Sequence, residues 1–244
     1  MRALISFFFL IIIVSNIETA SAETGLLHWT RADRAIPWRQ TSVNASKPWK
    51  LCALYPSLKD SYWLSVNYGM QKAAKLYGVD LKVLEANGYR QLATQQQQMM
   101  QCREWGADAI LLGSSTIRFP ELERHPDANV VAGSAIAAEA AMGEGRNLTT
   151  PLTIVSFYLT HQVYRGLKRG HILMALSDQM AWQGELAITQ SIKVLQGQPV
   201  PENISPPVLI LTHNNADSAR VRRSLSPPGF RPVYLYQYTS EAKK

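Results

Sequence analysis

The sequence predicts an α/β fold in which parallel sheets are flanked by helices. Between residues 51 and 112, short apolar runs alternate with amphipathic stretches in the order strand, helix, strand, helix, strand. The same rhythm resumes after residue 127 and continues to about residue 211. Parallel strands need crossover connections of this length, and those crossovers are right-handed in almost every case. Runs of strands alone, or of helices alone, would point to other architectures.

The chain begins Met1-Arg2-Ala3, runs apolar from Leu4 to Val14, and reaches Ala20-Ser21-Ala22 before Glu23. A basic tip, a short apolar core and a small-x-small end predict a signal peptide, residues 1–22, cleaved after Ala22. The apolar run is too short to cross a hydrocarbon layer of about 30 Å as a helix. An uncleaved anchor is the alternative. Cleavage leaves a chain that does not span the membrane and has enough residues to bury a sizeable core.

Residues 23–48 show no sustained period and carry Pro37 and Pro48, so they read as an N-terminal extended arm. Leu51–Tyr55 (LCALY) is a buried-strand pattern stopped by Pro56. From Ser61 to Leu76, Trp63, Val66, Met70, Ala73 and Ala74 recur at helical spacing, and Gly78 closes the helix. Val79–Leu84 alternates as a strand, a helix follows over about 90–105, and Ala109–Leu112 is a third strand. Gln95–Gln98 reads as a solvated helical face.

Beyond a stumble at 113–127, strands are predicted at 128–132, 152–158, 172–176 and 208–211. Helices are predicted at 136–142, 160–168 and 182–195. The Pro-rich segments 199–207 and 227–232 read as loops, and the last ten residues as a frayed tail. The division follows as a partial first lobe over 49–114 and a partial second lobe over 115–244.

The formal charge of +7 is diffuse apart from Arg220, Arg222 and Arg223. No zinc-finger or other nucleic-acid signature accompanies it, so no nucleic-acid partner is expected. Cys52 and Cys102 are the only cysteines. In an oxidising compartment a pair predicts a bridge, here closing a loop of about 50 residues and contributing roughly 3–4 kcal/mol. Two buried free thiols are the alternative, and neither residue sits in a C-x-x-C redox motif.

Catalytic signatures are missing: there is no G-x-S-x-G, H-E-x-x-H, G-x-x-x-x-G-K or G-x-G-x-x-G. The five histidines are scattered without metal-ligand spacing. No catalytic residue, metal or cofactor is expected. Open parallel sheets bind ligands at the carboxyl ends of their strands, and three such ends are aromatic here. They carry Asp60 with Trp63, then Asn87-Gly88-Tyr89, then Tyr158. Aromatic faces suit a methylated cationic nitrogen, at about 0.5–2 kcal/mol each. Core packing for Trp63 and helix capping for Asp60 are the competing roles. Asp178 and Gln179, just past a later strand, are further polar groups at the same kind of rim.

The stretches LCALYPSLKDSYWLSVNYG (51–69), GVDLKVLEANGY (78–89), WGADAILLG (105–113), ANVVAGSAIAAEAA (128–141), TIVSFYLTHQVYRGLKRG (153–170) and SPPGFRP (226–232) carry a resemblance. Together they resemble the type 1 periplasmic binding proteins, related to ribose-binding protein and the LacI effector domains, and within them the sensors of trimethylamine N-oxide. The resemblance implies a periplasmic location and a ligand-binding role without turnover. It implies trimethylamine N-oxide as ligand and the periplasmic domain of a sensor histidine kinase as partner. By carry-over it makes Asp60, Trp63 and Tyr89 ligand residues of the first lobe and Tyr158 one of the second. It also implies an internal deletion near residues 113–123, where roughly 80–100 residues of a two-lobed relative have no counterpart.

Two other functions stay open. One is the sugar-binding component of an ABC transporter, although the rim offers Asp60, Asn87, Asp178 and Gln179 but no clear arginine for sugar hydroxyls. The other is an inactive, truncated remnant of the sensor. A secreted hydrolase lacks the nucleophile or metal constellation it needs.

Overall fold

A computed structural model of the chain describes residues 25–29, 34–39, 41–113, 130–133, 135–145, 152–218, 221 and 223–239. The expected signal peptide and the junction at 114–129 lie outside the described residues. The first sheet is built on β3 (Lys50–Tyr55), whose Leu51, Cys52, Ala53, Leu54 and Tyr55 are all fully buried. A continuous apolar run is what a strand covered on both faces requires.

β4 (Asp80–Glu85) and β5 (Ala109–Leu112) pair parallel to β3 on its two sides. Between them run α1 (Ser61–Tyr77) and α2 (Leu92–Glu104). Asp60 caps α1 by accepting from the Tyr62 amide, and Gly78 ends it in the left-handed region at φ 69°. The bridge between Cys52 and Cys102 is present and ties β3 to α2. It sits in a small cluster with Leu54, packed by Leu84, Met99, Trp105 and Ile110.

The second sheet carries β6 (Val130–Gly133), β7 (Thr153–Ser156) and β8 (Met174–Ser177) in parallel, in the order β8-β7-β6. Its helices are α3 (Ala135–Gly145), α4 (His161–Lys168) and α5 (Met180–Leu195). One hydrophobic core runs from β3 and α1 through α4 and α5 to β7.

The sheets are mixed, not wholly parallel as the sequence suggested. β10 (Leu209–Thr212) joins β8 antiparallel, and β11 (Leu235–Tyr236) joins β4 antiparallel. β11 belongs to the tail expected to fray and to the segment assigned to the second lobe, yet it completes the first sheet, order β11-β4-β3-β5. Described residues of the arm also form strands: β1 (Leu26–Trp29) and β2 (Ala35–Trp38) are an antiparallel pair, extended by β9 (Ile204–Ser205) from the Pro-rich loop. Pro37 is tolerated because β2 is an edge strand.

The two halves meet along α1 and α5. A Cβ at Gly69 would lie 1.8 Å from the Ala181 carbonyl oxygen, and one at Gly184 would lie 2.1 Å from that of Val66. Only glycine lets the two backbones approach this closely. The crossing sets the middle of α1 against the first turns of α5, which follows β8.

Gln95 and Gln98 correct a further expectation. Both are buried, while Gln96 and Gln97 between them are exposed. Their side-chain amides donate to the carbonyls of Gly113 and Glu85, at 2.8 Å each, and so satisfy the ends of β5 and β4. No helix among the described residues is long and apolar enough to cross a membrane.

Candidate functional site

Asp60 stands at the hinge between β3 and α1, with one carboxylate oxygen 2.9 Å from the Tyr62 amide. Its other oxygen accepts from the Tyr89 hydroxyl. Tyr89 is delivered by the turn after β4, where Asn87 adopts φ 60° and the Gly88 amide donates to Pro56 O at 2.8 Å. The Trp63 indole N–H in turn donates to the Tyr89 hydroxyl at 3.1 Å. Trp63, Tyr89 and Asp60 therefore form one hydrogen-bonded chain. Trp63 also stacks on Tyr55 with ring centroids 5.4 Å apart, so it packs in the core and supports the site at once.

Tyr62 joins the two halves. Its ring meets Trp63 edge-on at 5.2 Å and Tyr158 at 6.0 Å, and its hydroxyl donates to Asp178 Oδ2 at 2.8 Å. Tyr158 is set by the chain leaving β7: Ser156 Oγ donates to its carbonyl at 2.8 Å, and Thr160 caps α4 by accepting from the Val163 amide at 3.1 Å. Asp60, Tyr89 and Tyr158 line one cleft of about 470 Å³, facing Glu139 of α3. Such volumes are those of small-molecule sites.

Burial and the Asp60 carboxylate push the Tyr89 hydroxyl far above the usual tyrosine range. Burial, then the Asp60 and Glu139 charges, does the same to Tyr158, and burial with Asp178 does so to Tyr62. These hydroxyls stay protonated, and those of Tyr62 and Tyr89 donate to Asp178 and Asp60.

Of the six residues singled out from the sequence, Asp60, Tyr89 and Tyr158 reach the cleft and Trp63 backs it. Asp178 is linked to it through Tyr62. Gln179 is not brought there. It starts α5 in the left-handed region, is fully buried, and donates from Nε2 to Pro207 O at 2.9 Å. The rim also carries Arg165, which corrects the expectation that no arginine is near. Sequence reasoning passed over Tyr62 and Glu139. Glu139's signal was a single charge in the stretch AIAAEAAM.

A cleft lined by Tyr89 from the first half of the chain and Tyr158 from the second, in a fold of parallel strands and flanking helices, defines a ligand-binding protein of the periplasmic type. The chain belongs to the family described as periplasmic binding proteins and sugar binding domain of LacI family, whose profile matches residues 48–125 and 121–239.

Within it, the chain is similar to periplasmic protein TorT of Escherichia coli K12, at 47% identity over 338 aligned positions that take in 97% of this chain and 98% of that protein. TorT of Escherichia coli O157:H7 is 46% identical over the same shares. An alignment of 338 positions against 244 residues leaves about a hundred positions of TorT without a counterpart here. Among solved structures, the TorS sensor domain–TorT complex in the presence of TMAO superposes with a TM-score of 0.68 at 28% identity, covering 76% of this chain and 99% of that one. An ABC transporter solute binding protein from Bradyrhizobium, with bound bis-tris, shares the fold at a TM-score of 0.73 and 23% identity, covering 86% of this chain and 98% of that one.

Proposed function

We propose that this protein is a periplasmic binding protein for trimethylamine N-oxide that reports its ligand to the sensor domain of a TorS-type histidine kinase. It binds and signals without chemical turnover. The observation that carries the reading is the chain Trp63–Tyr89–Asp60 facing Tyr158 across the cleft, with Tyr62 edge-on between them. The similarity to TorT supports it.

The aromatic rings suit the methylated, positively polarised nitrogen, whose attraction to a ring face is electrostatic. The ligand oxygen needs a donor: the Tyr158 hydroxyl stays protonated at neutral pH and supplies one, whereas the Tyr89 hydroxyl serves only by exchanging Asp60 for the ligand. Asp60 faces the methyl groups or holds a water. Because the cleft takes residues from both lobes, ligand binds one relative arrangement better than another. That differential affinity is what shifts the population and changes the surface offered to the kinase.

The reading is tested by mixing the mature protein with the sensor domain and following co-elution with and without trimethylamine N-oxide. The expected result is a complex whose stability changes with ligand. A sensor domain that ignores the protein under both conditions contradicts the signalling role.

A further inference from the structure

We infer that Glu139 is a specificity-determining residue that sets this cleft for methylated ammonium cations as a class. This rests on the ligand-binding reading above and names the ligand class of the same site. Glu139 is half-buried on α3, and Thr160 Oγ1 donates to its carboxylate, fixing it at the start of α4. Asp60 stands in the same cleft at the start of α1, so each lobe presents one carboxylate to the space that Tyr89 and Tyr158 line. Both charges act on the Tyr158 hydroxyl.

The cationic groups near them do not cancel this. Lys59 and Arg165 lie at the rim and are exposed to solvent, which screens them. His161 Nε2 is engaged with Ser226 O at 2.9 Å. No ion pair among the described residues involves Asp60 or Glu139.

A tetramethylammonium ion between two carboxylates and aromatic faces is attracted by both carboxylates and by the ring faces. Trimethylamine N-oxide is neutral overall, so its methyl end is attracted while its oxygen is repelled. Removing the Glu139 charge must therefore weaken the cation more than the N-oxide.

The test is calorimetric titration of the mature protein at pH 7 with tetramethylammonium chloride and, separately, with trimethylamine N-oxide. Glu139→Gln keeps an acceptor for Thr160 and removes only the charge; Glu139→Asp keeps the charge. The inference predicts that wild type binds both ligands and that Glu139→Gln weakens tetramethylammonium about tenfold but the N-oxide no more than about threefold. Glu139→Asp retains the wild-type preference. Glu139→Ala is read alongside, so that the same shift must appear in whichever variant folds. Equal losses for both ligands, or no loss, overturn the inference. Wild type that binds only the N-oxide overturns it and leaves the proposed function standing. Wild type that binds only the cation upholds it and overturns the N-oxide reading. Binding of neither overturns both.

Discussion

The Tyr89 hydroxyl donates to the Asp60 carboxylate, joining the turn after β4 to the residue that caps α1. That one bond couples ligand geometry to helix geometry. Tyr89 cannot move toward a ligand without changing the partners of the cap.

Tyr89→Phe keeps the ring and deletes the bond. Asp60 then retains the Tyr62 amide but loses its hydroxyl donor. Unfolding in urea should show a loss of about 1–2 kcal/mol, together with weaker trimethylamine N-oxide binding. Unchanged stability and affinity would mean that the bond is incidental.

The glycine crossing of α1 and α5 predicts a paired contrast. Gly184→Ala places a methyl group about two ångströms from Val66 O and must drive the helices apart, costing more than about 2 kcal/mol. Gly143, within α3, has nothing within 4 Å of an added Cβ, so Gly143→Ala should be neutral or stabilise by up to about 1 kcal/mol. Thermal unfolding of both variants checks the pair.

Reducing the Cys52–Cys102 bridge releases a closed segment of 50 residues in the unfolded chain. Stability should fall by roughly 3–4 kcal/mol on the chain-entropy estimate. Denaturant titration with and without a reductant measures this, and mass spectrometry of the oxidised protein should find two protons fewer.

Stability should also fall at alkaline pH. Burial first of all raises the folded-state pKa of Tyr55, Tyr62, Tyr89 and Tyr158 above the ordinary value of 10.0. Their contribution is fully present below pH 10 and is lost as pH rises past it, because the unfolded chain ionises first. Tyrosinate absorbance near 295 nm should show these four titrating only as the protein unfolds. Ionisation of all ten tyrosines near pH 10 in the folded protein would contradict it.

The elements legible in the sequence are those whose signal is local. β3 announces itself by LCALY, and α1 by its apolar stripe between Asp60 and Gly78. β1, β2, β9 and β11 are two to four residues long and exist through pairing, as when His28 meets Ile204 across most of the chain. The orientation of β10 was illegible because LILT reads alike in either direction. Gln95 and Gln98 looked solvated because their partners are backbone carbonyls at the ends of β4 and β5. Strand-end position brings Asp60, Tyr89 and Tyr158 to one cleft, whereas Gln179, chosen by the same rule, is buried and bonds to Pro207 instead. Tyr62 emerges only when α1 and α5 are packed together.

The most direct measurement is calorimetric titration of the refolded mature chain with trimethylamine N-oxide, with ribose in a parallel titration and Trp63→Ala as the variant. Saturable binding of one N-oxide per chain is expected, with no binding of ribose and a loss of about 1–2 kcal/mol in Trp63→Ala as the hydrogen bond that supports Tyr89 is removed. Absence of saturable N-oxide binding would contradict it and leave a remnant whose missing segment took the site with it. Binding of ribose alone would contradict it in favour of a sugar carrier.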